Sequence, residues 1–136
     1  IAFAVKRFKN GITIKNEFLT AKFNELGAEI KSLVSSNGKE YIWNGDEKYW
    51  ALSSPILFPI CSGIKNDEYY YNGKKYTLYK HGFARKKVFD VEELNDNKVI
   101  FLLRSDDETR KCYPFDFELR LVYELIGKVL KVSYCP

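Results

Sequence analysis

Short alternating runs separated by tight-turn dipeptides leave this chain few folds other than an antiparallel β structure. Residues 19–23 alternate apolar and polar side chains, and residues 29–34 mix β-branched with polar ones. Asn37-Gly38 follows, the pair that best fills the two left-handed positions of a type I′ hairpin turn, and the aromatic run Tyr41-Ile42-Trp43 comes next. Asn72-Gly73 stands in the same way between Glu68-Tyr69-Tyr70-Tyr71 and Lys74-Lys75-Tyr76-Thr77-Leu78. Asn95-Asp96-Asn97 divides residues 88–94 from 99–103, and Gly127-Lys128 divides 115–125 from 129–134. In the first part of 115–125, Phe115, Phe117, Leu119 and Leu121 fall on one face and Asp116, Glu118 and Arg120 on the other. Helical periodicity is weak: residues 46–50 and 107–111 each suffice for about one turn. The pattern predicts an all-β antiparallel sandwich or barrel.

Composition narrows the function more than the fold. At 136 residues the chain has room for one domain with a real core. Twenty-two Lys and Arg against 18 Asp and Glu leave a net charge of +4, scattered in short clusters such as Lys74-Lys75 and Arg85-Lys86-Lys87. No basic stripe or nucleic-acid module is present, so no nucleic-acid partner is expected. Cys61, Cys112 and Cys135 are odd in number and form no Cys-x-x-Cys pair. Neither a disulfide framework nor a zinc site follows from them, and a reducing cytoplasm is the expected compartment. No apolar run reaches the length of a membrane span, so no membrane partner is expected. Ten Tyr, ten Phe and two Trp are a heavy aromatic load, most of it the β-type composition of a pleated, half-buried surface, while exposed rings of this kind also build sugar-binding grooves.

Residues 50–69 break the β rhythm. Ser53-Ser54-Pro55 and Phe58-Pro59-Ile60-Cys61-Ser62-Gly63 hold two prolines, which forbid ordinary ladder pairing. Such a segment is either a buried crossing or a binding loop. Beyond it lies His81-Gly82-Phe83-Ala84-Arg85, which contains the chain's single histidine. A proton-exchanging imidazole beside a glycine, with a guanidinium fork four residues on, suits a hydroxyl-rich or anionic ligand better than a metal. No metal site and no cofactor are expected.

Leu57-Phe58-Pro59-Ile60, the spaced set Tyr69, Tyr71, Gly73, Tyr76 and Leu78, and His81-Gly82-Phe83-Ala84-Arg85 together resemble the aldose 1-epimerase (galactose mutarotase-like) family, in particular its bacterial LacX-type branch. Phe18-Leu19-Thr20-Ala21, Gly27-Ala28-Glu29-Ile30, Trp43, Trp50, Glu108-Thr109 and Tyr113-Pro114-Phe115 fall in the expected order. The resemblance implies a galactose mutarotase-like supersandwich of which residues 1–136, read as a single domain, form only the N-terminal portion, truncated on the C-terminal side. The chain begins at Ile1 and stops after a strand-like run, which agrees with that expectation.

The resemblance also implies a function. Members bind a monosaccharide, or in some cases a sugar phosphate, and interconvert its α and β anomers without a cofactor. A base takes the proton of the C1 hydroxyl while an acid protonates the ring oxygen. His81 matches an active-site histidine that contacts the sugar near the ring oxygen and is the expected catalytic residue. Arg85, Phe83 and Tyr113 are the expected substrate contacts. Where members carry Gly-Arg after the Phe-Pro-Ile stretch, this chain reads Cys61-Ser62-Gly63, and Lys65 is the candidate substitute. The second histidine and the glutamate base belong to a segment beyond residue 136, so this chain alone is expected to be incomplete as an isomerase. The alternative is a non-catalytic carbohydrate-binding or regulatory β-sandwich module. Unpartnered strand edges lead to an expectation of self-association.

Overall fold

The computed structural model describes residues 11–136. Three antiparallel sheets account for almost all regular structure. The first holds β1 (Ile12–Lys15), β2 (Leu19–Asn24) and β3 (Glu29–Ser35), in that order. The second is the hairpin of β4 (Glu68–Tyr71) and β5 (Lys74–Thr77). The third runs β6 (Asp90–Leu94), β7 (Lys98–Arg104), β8 (Glu118–Ile126) and β9 (Val129–Cys135). Among the described residues one short helix, α1 (Asp107–Cys112), interrupts the connection between β7 and β8. Among the described residues no helix is long and apolar enough to cross a membrane.

Alternation turns these strands into a sandwich. Leu119, Leu121, Tyr123 and Leu125 of β8 are buried, and so are Leu19, Ala21 and Phe23 of β2. The two inner faces meet in one core, where the Phe23 ring lies 4.5 Å from Tyr123 and 5.8 Å from Phe101. Tyr123 is the one buried phenol at the centre. Its hydroxyl donates to Ala28 O at 2.9 Å, which satisfies the polar end of an otherwise apolar contact. Burial pushes that phenol's pKa well up. Backbone bonds seal the rim, from Lys15 N to Asp96 O (2.7 Å) and from Gly27 N to Lys87 O (2.7 Å).

Asn72-Gly73 forms the expected hairpin, with φ of 48° and 75° at its two residues. Asn37-Gly38 also turns the chain, with Ser35 N donating to Lys39 O and a bridge between Val34 and Glu40. Its second arm, however, does not become a strand at 41–43. The Glu40 carboxylate accepts the N–H groups of both Leu33 (2.8 Å) and Ile42 (3.0 Å), taking the place of a ladder carbonyl and peeling the chain away. Burial works against charge there, but the Ser32 hydroxyl and these amides hold the Glu40 carboxyl below its ordinary pKa. The run expected at 115–125 starts three residues later than its alternation suggests. Phe115 and Phe117 lie ahead of β8 in an aromatic cluster rather than on its inner face. Strand β1 was not singled out by pattern, because four residues are too short to separate alternation from chance.

Candidate functional site

The segments that escape the sheets build the site. Phe58 and Gly82 form an isolated parallel bridge, and Phe58 O accepts from both Phe83 N (2.9 Å) and Ala84 N (3.2 Å). The approach is so close that a Cβ on Gly82 would lie 2.1 Å from Phe58 O. Gly82 also has φ +70°, so only glycine meets both demands. His81 shares the left-handed conformation at φ 70°, unusual for a residue with a side chain. Its backbone N donates to Ser62 O at 3.1 Å, tying the histidine to the proline-punctuated segment.

The imidazole is oriented by its own ring. Nδ1 of His81 lies 2.8 Å from Cys61 O. A carbonyl oxygen can only accept, so Nδ1 carries the proton and Nε2 is the ring's other polar atom. In neutral His81, Nε2 is an acceptor and a base; in the imidazolium it is a donor.

Arg85 lies in the short 3-10 turn Ala84–Lys86, whose first residue is fully buried. A Cβ on Gly27 would come within 2.9 Å of Arg85 O, so the β2–β3 connection packs directly on this turn. The guanidinium donates from Nη2 to Lys80 O at 3.3 Å, while its buried Nε has no partner.

His81 and Arg85 line one open hollow of about 450 Å³ together with Trp50, Ser53, Ser54, Pro55 and Leu57. Trp50 is half exposed, and the tryptophan loop is held from behind: Trp43 Nε1 donates to Trp50 O at 2.8 Å. The buried Glu29 carboxylate accepts the N–H groups of Ser53 (2.6 Å) and Ser54 (2.9 Å), pinning that wall to the start of β3. Two amides on one carboxylate oxygen make a charge-assisted clamp that a neutral side chain would not match.

The remaining expected contacts sit elsewhere. Phe83 and Tyr113 belong to an aromatic cluster with Phe58 and Phe117, with Phe58 6.0 Å from Phe83 and 6.1 Å from Tyr113. Neither ring lines the hollow. Lys65 is exposed at the start of the turn Lys65–Asp67 and is also not among the lining residues. The ring that does line it is Trp50, and the carboxylate behind its wall is Glu29. Neither stood out from the sequence as a site residue. The irregular Ser53-Ser54-Pro55 stretch was the available signal.

The acidic run Asp106-Asp107-Glu108 is accounted for structurally. Asp106 caps α1, accepting from Thr109 N at 2.7 Å, and Thr109 Oγ1 accepts from Asp106 N in return. Lys87 bridges Asp106 (3.3 Å) and Glu108 (2.9 Å). Although burial opposes it, those two carboxylates hold the Lys87 ammonium above its usual pKa. No carboxylate is among the residues lining the hollow.

Known proteins supply the comparison. The aldose 1-epimerase family profile matches residues 11–135. The plasmid-encoded protein LacX of Lactococcus lactis subsp. lactis is 39% identical over 128 residues, covering 90% of this chain and 43% of that protein. A galactose mutarotase related enzyme from Lactobacillus acidophilus superposes with a TM-score of 0.89 at 41% identity, over 91% of this chain and 42% of that one. A galactose mutarotase-like protein from Lactobacillus casei ATCC 334 gives a TM-score of 0.87 at 39% identity, with the same coverage of 91% and 42%. The chain thus spans about two-fifths of the length of these relatives. A match over nearly all the described residues, on a sandwich of antiparallel sheets shared with these solved structures, places this chain in the aldose 1-epimerase family.

Proposed function

We propose that this chain supplies the His81 side of a monosaccharide site at which α and β anomers are interconverted. The observation that carries the reading is the meeting of His81, Arg85 and the half-exposed Trp50 indole in one open hollow. An indole packs against the C–H face of a pyranose, and the guanidinium fork donates to ring hydroxyls. His81 holds the position for proton transfer. With Nδ1–H engaged by Cys61 O, Nε2 of the imidazolium donates toward the ring oxygen. Protonation there accompanies loss of the C1 hydroxyl proton to a base, and the C1–O5 bond breaks to give the open-chain aldehyde. Rotation about C1–C2 and the reverse transfers close the ring as either anomer. Positioned acid–base groups of this kind contribute roughly 10²–10⁴-fold each.

The base has no candidate among the lining residues, none of which is a carboxylate. This favours a second reading for the chain by itself, a carbohydrate-binding module without turnover. Calorimetric titration with D-galactose and D-glucose, paired with polarimetry of freshly dissolved α-anomer, tests both. Binding near the millimolar range, about −4 kcal/mol, is expected, with no acceleration of mutarotation. His81→Ala should remove the binding heat. Acceleration by the chain would replace the binding-only reading with catalysis, and heat that survives His81→Ala would remove His81 from the site.

Three free thiols suit a reducing cytoplasm, which is the compartment proposed here. The chain is further proposed to self-associate through β9. Among the described residues that strand pairs only with β8, and it exposes Val129, Val132 and Tyr134. A monomeric mass by light scattering across a concentration series would remove this element.

A further inference from the structure

Residues 25–29, which carry the chain from β2 into β3, reach both walls of the hollow from behind. On one side they run beside the segment that follows His81. Phe89 N donates to Glu25 O at 2.9 Å, Leu26 bridges Val88, and Gly27 N donates to Lys87 O at 2.7 Å. A Cβ on Gly27 would lie 2.9 Å from Arg85 O and 3.2 Å from Arg85 Cα, and Gly27 has φ +71°. The chain then turns at Ala28 (φ 48°), whose carbonyl accepts the Tyr123 hydroxyl in the middle of the core. On the other side Glu29, only 7% exposed, takes the amides of Ser53 and Ser54 on one carboxylate oxygen. Lys31 lies 3.6 Å from that oxygen. A carboxylate is costly to withdraw from water, and this one is spent on amides 24 and 25 residues further along the chain. Neither Gly27 nor Glu29 lines the hollow itself.

We infer that this connection is the positioning element of the site: Gly27 seats the His81–Arg85 wall, Glu29 seats the Trp50–Ser54 wall, and together they fix the gap between them. The effect on affinity rests on the proposed sugar site, and it makes Gly27 and Glu29 positioning residues that act on a ligand they do not touch. The reason is energetic. Ser53 and Ser54 belong to an irregular stretch with no ladder of its own, so its order must come from a partner outside it. A wall that is loose before binding must be ordered on binding, and that ordering subtracts from affinity. Backbone seated against the core through Ala28 and Tyr123 removes the cost in advance.

The test measures dissociation constants for D-galactose, with amide and indole shifts, in Glu29→Gln, Glu29→Ala and Gly27→Ala. All values are taken well below each variant's melting temperature, so that only folded protein is compared. Glu29→Ala is expected to weaken D-galactose about tenfold, and Glu29→Gln, which keeps an acceptor oxygen but not the charge, about threefold. This graded rescue should be matched by the Trp50 indole signal, which moves most in Glu29→Ala and less in Glu29→Gln. Gly27→Ala is also expected to weaken D-galactose about tenfold, with shifts at residues 81–87 and a Trp50 indole left in place. Folded Glu29→Ala or Gly27→Ala that binds D-galactose as wild type does overturns the inference, as does a Trp50 indole unmoved in Glu29→Ala. If Glu29→Ala fails to fold, an unchanged dissociation constant in Glu29→Gln overturns it instead. A wild-type chain that gives no response to D-galactose removes the sugar site alone. The positioning of the walls is then decided by whether the Trp50 indole moves in the Glu29 variants and residues 81–87 move in Gly27→Ala.

Discussion

The four-stranded sheet and the His81 hollow are held together in different ways. In the sheet, each strand buries one face, and neighbouring residues repeat the same contact: Phe101, Leu121 and Tyr123 are all essentially inaccessible. In the hollow, single atoms decide the shape. Phe58 O takes two amides, Glu29 takes two more, and Gly82 leaves room for neither a side chain nor an ordinary φ. The residues that line the hollow come from that second kind of region.

Substitutions can probe this contrast directly. The largest loss is expected for Phe101→Ala in the core, about 3–5 kcal/mol by denaturant unfolding, since it opens a cavity between the two sheets. Gly82→Ala is expected to cost roughly 3 kcal/mol although it adds one methyl, from overpacking against Phe58 combined with a left-handed φ. Gly73→Ala separates those two causes. Its φ is +75°, yet a Cβ there meets nothing within 4 Å, so about 1 kcal/mol is expected. Equal effects at the two glycines would show that the Phe58–Gly82 contact is not what fixes the site.

Asp106 sharpens the comparison on the regular side. Asp106→Ala removes a capping-box residue and should cost about 1 kcal/mol near neutral pH. The Thr109 amide, with help from Lys87, holds the Asp106 carboxyl below its ordinary range. A depressed folded pKa gives stability that is present above the unfolded value and lost as pH falls through the folded one. The difference between wild type and Asp106→Ala should therefore narrow in acid; a constant difference would contradict the cap. The smallest effect is expected for His81→Gly, less than about 1 kcal/mol. Relief of the left-handed backbone offsets loss of the Cys61 hydrogen bond.

The same contrast explains what the sequence could reveal. Strands β2 to β9 and the hairpin at Asn72-Gly73 follow from local period and turn chemistry, which act within a few residues. The exception at 41–43 came from one side chain, Glu40, outcompeting the backbone for two amides. His81 and Arg85 were legible as a motif, and they share a hollow. Phe83 and Tyr113 were expected as ligand contacts, and local pattern cannot say which ring of a motif faces which neighbour. Their rings instead pack with Phe58 and Phe117. Trp50 and Glu29 reach the hollow across separations of 31 and 24 residues from His81 and Ser53, and no local pattern reports such contacts.

The central claim is that the irregular region, not the sheet, meets the sugar. Backbone and indole amide shifts recorded during a D-galactose titration test it most directly. The account predicts changes at the Trp50 indole, along residues 53–57 and 81–85, and silence in the β6–β7 and β8–β9 turns. Shifts centred on those turns, with Trp50 and His81 unmoved at saturating sugar, would contradict it.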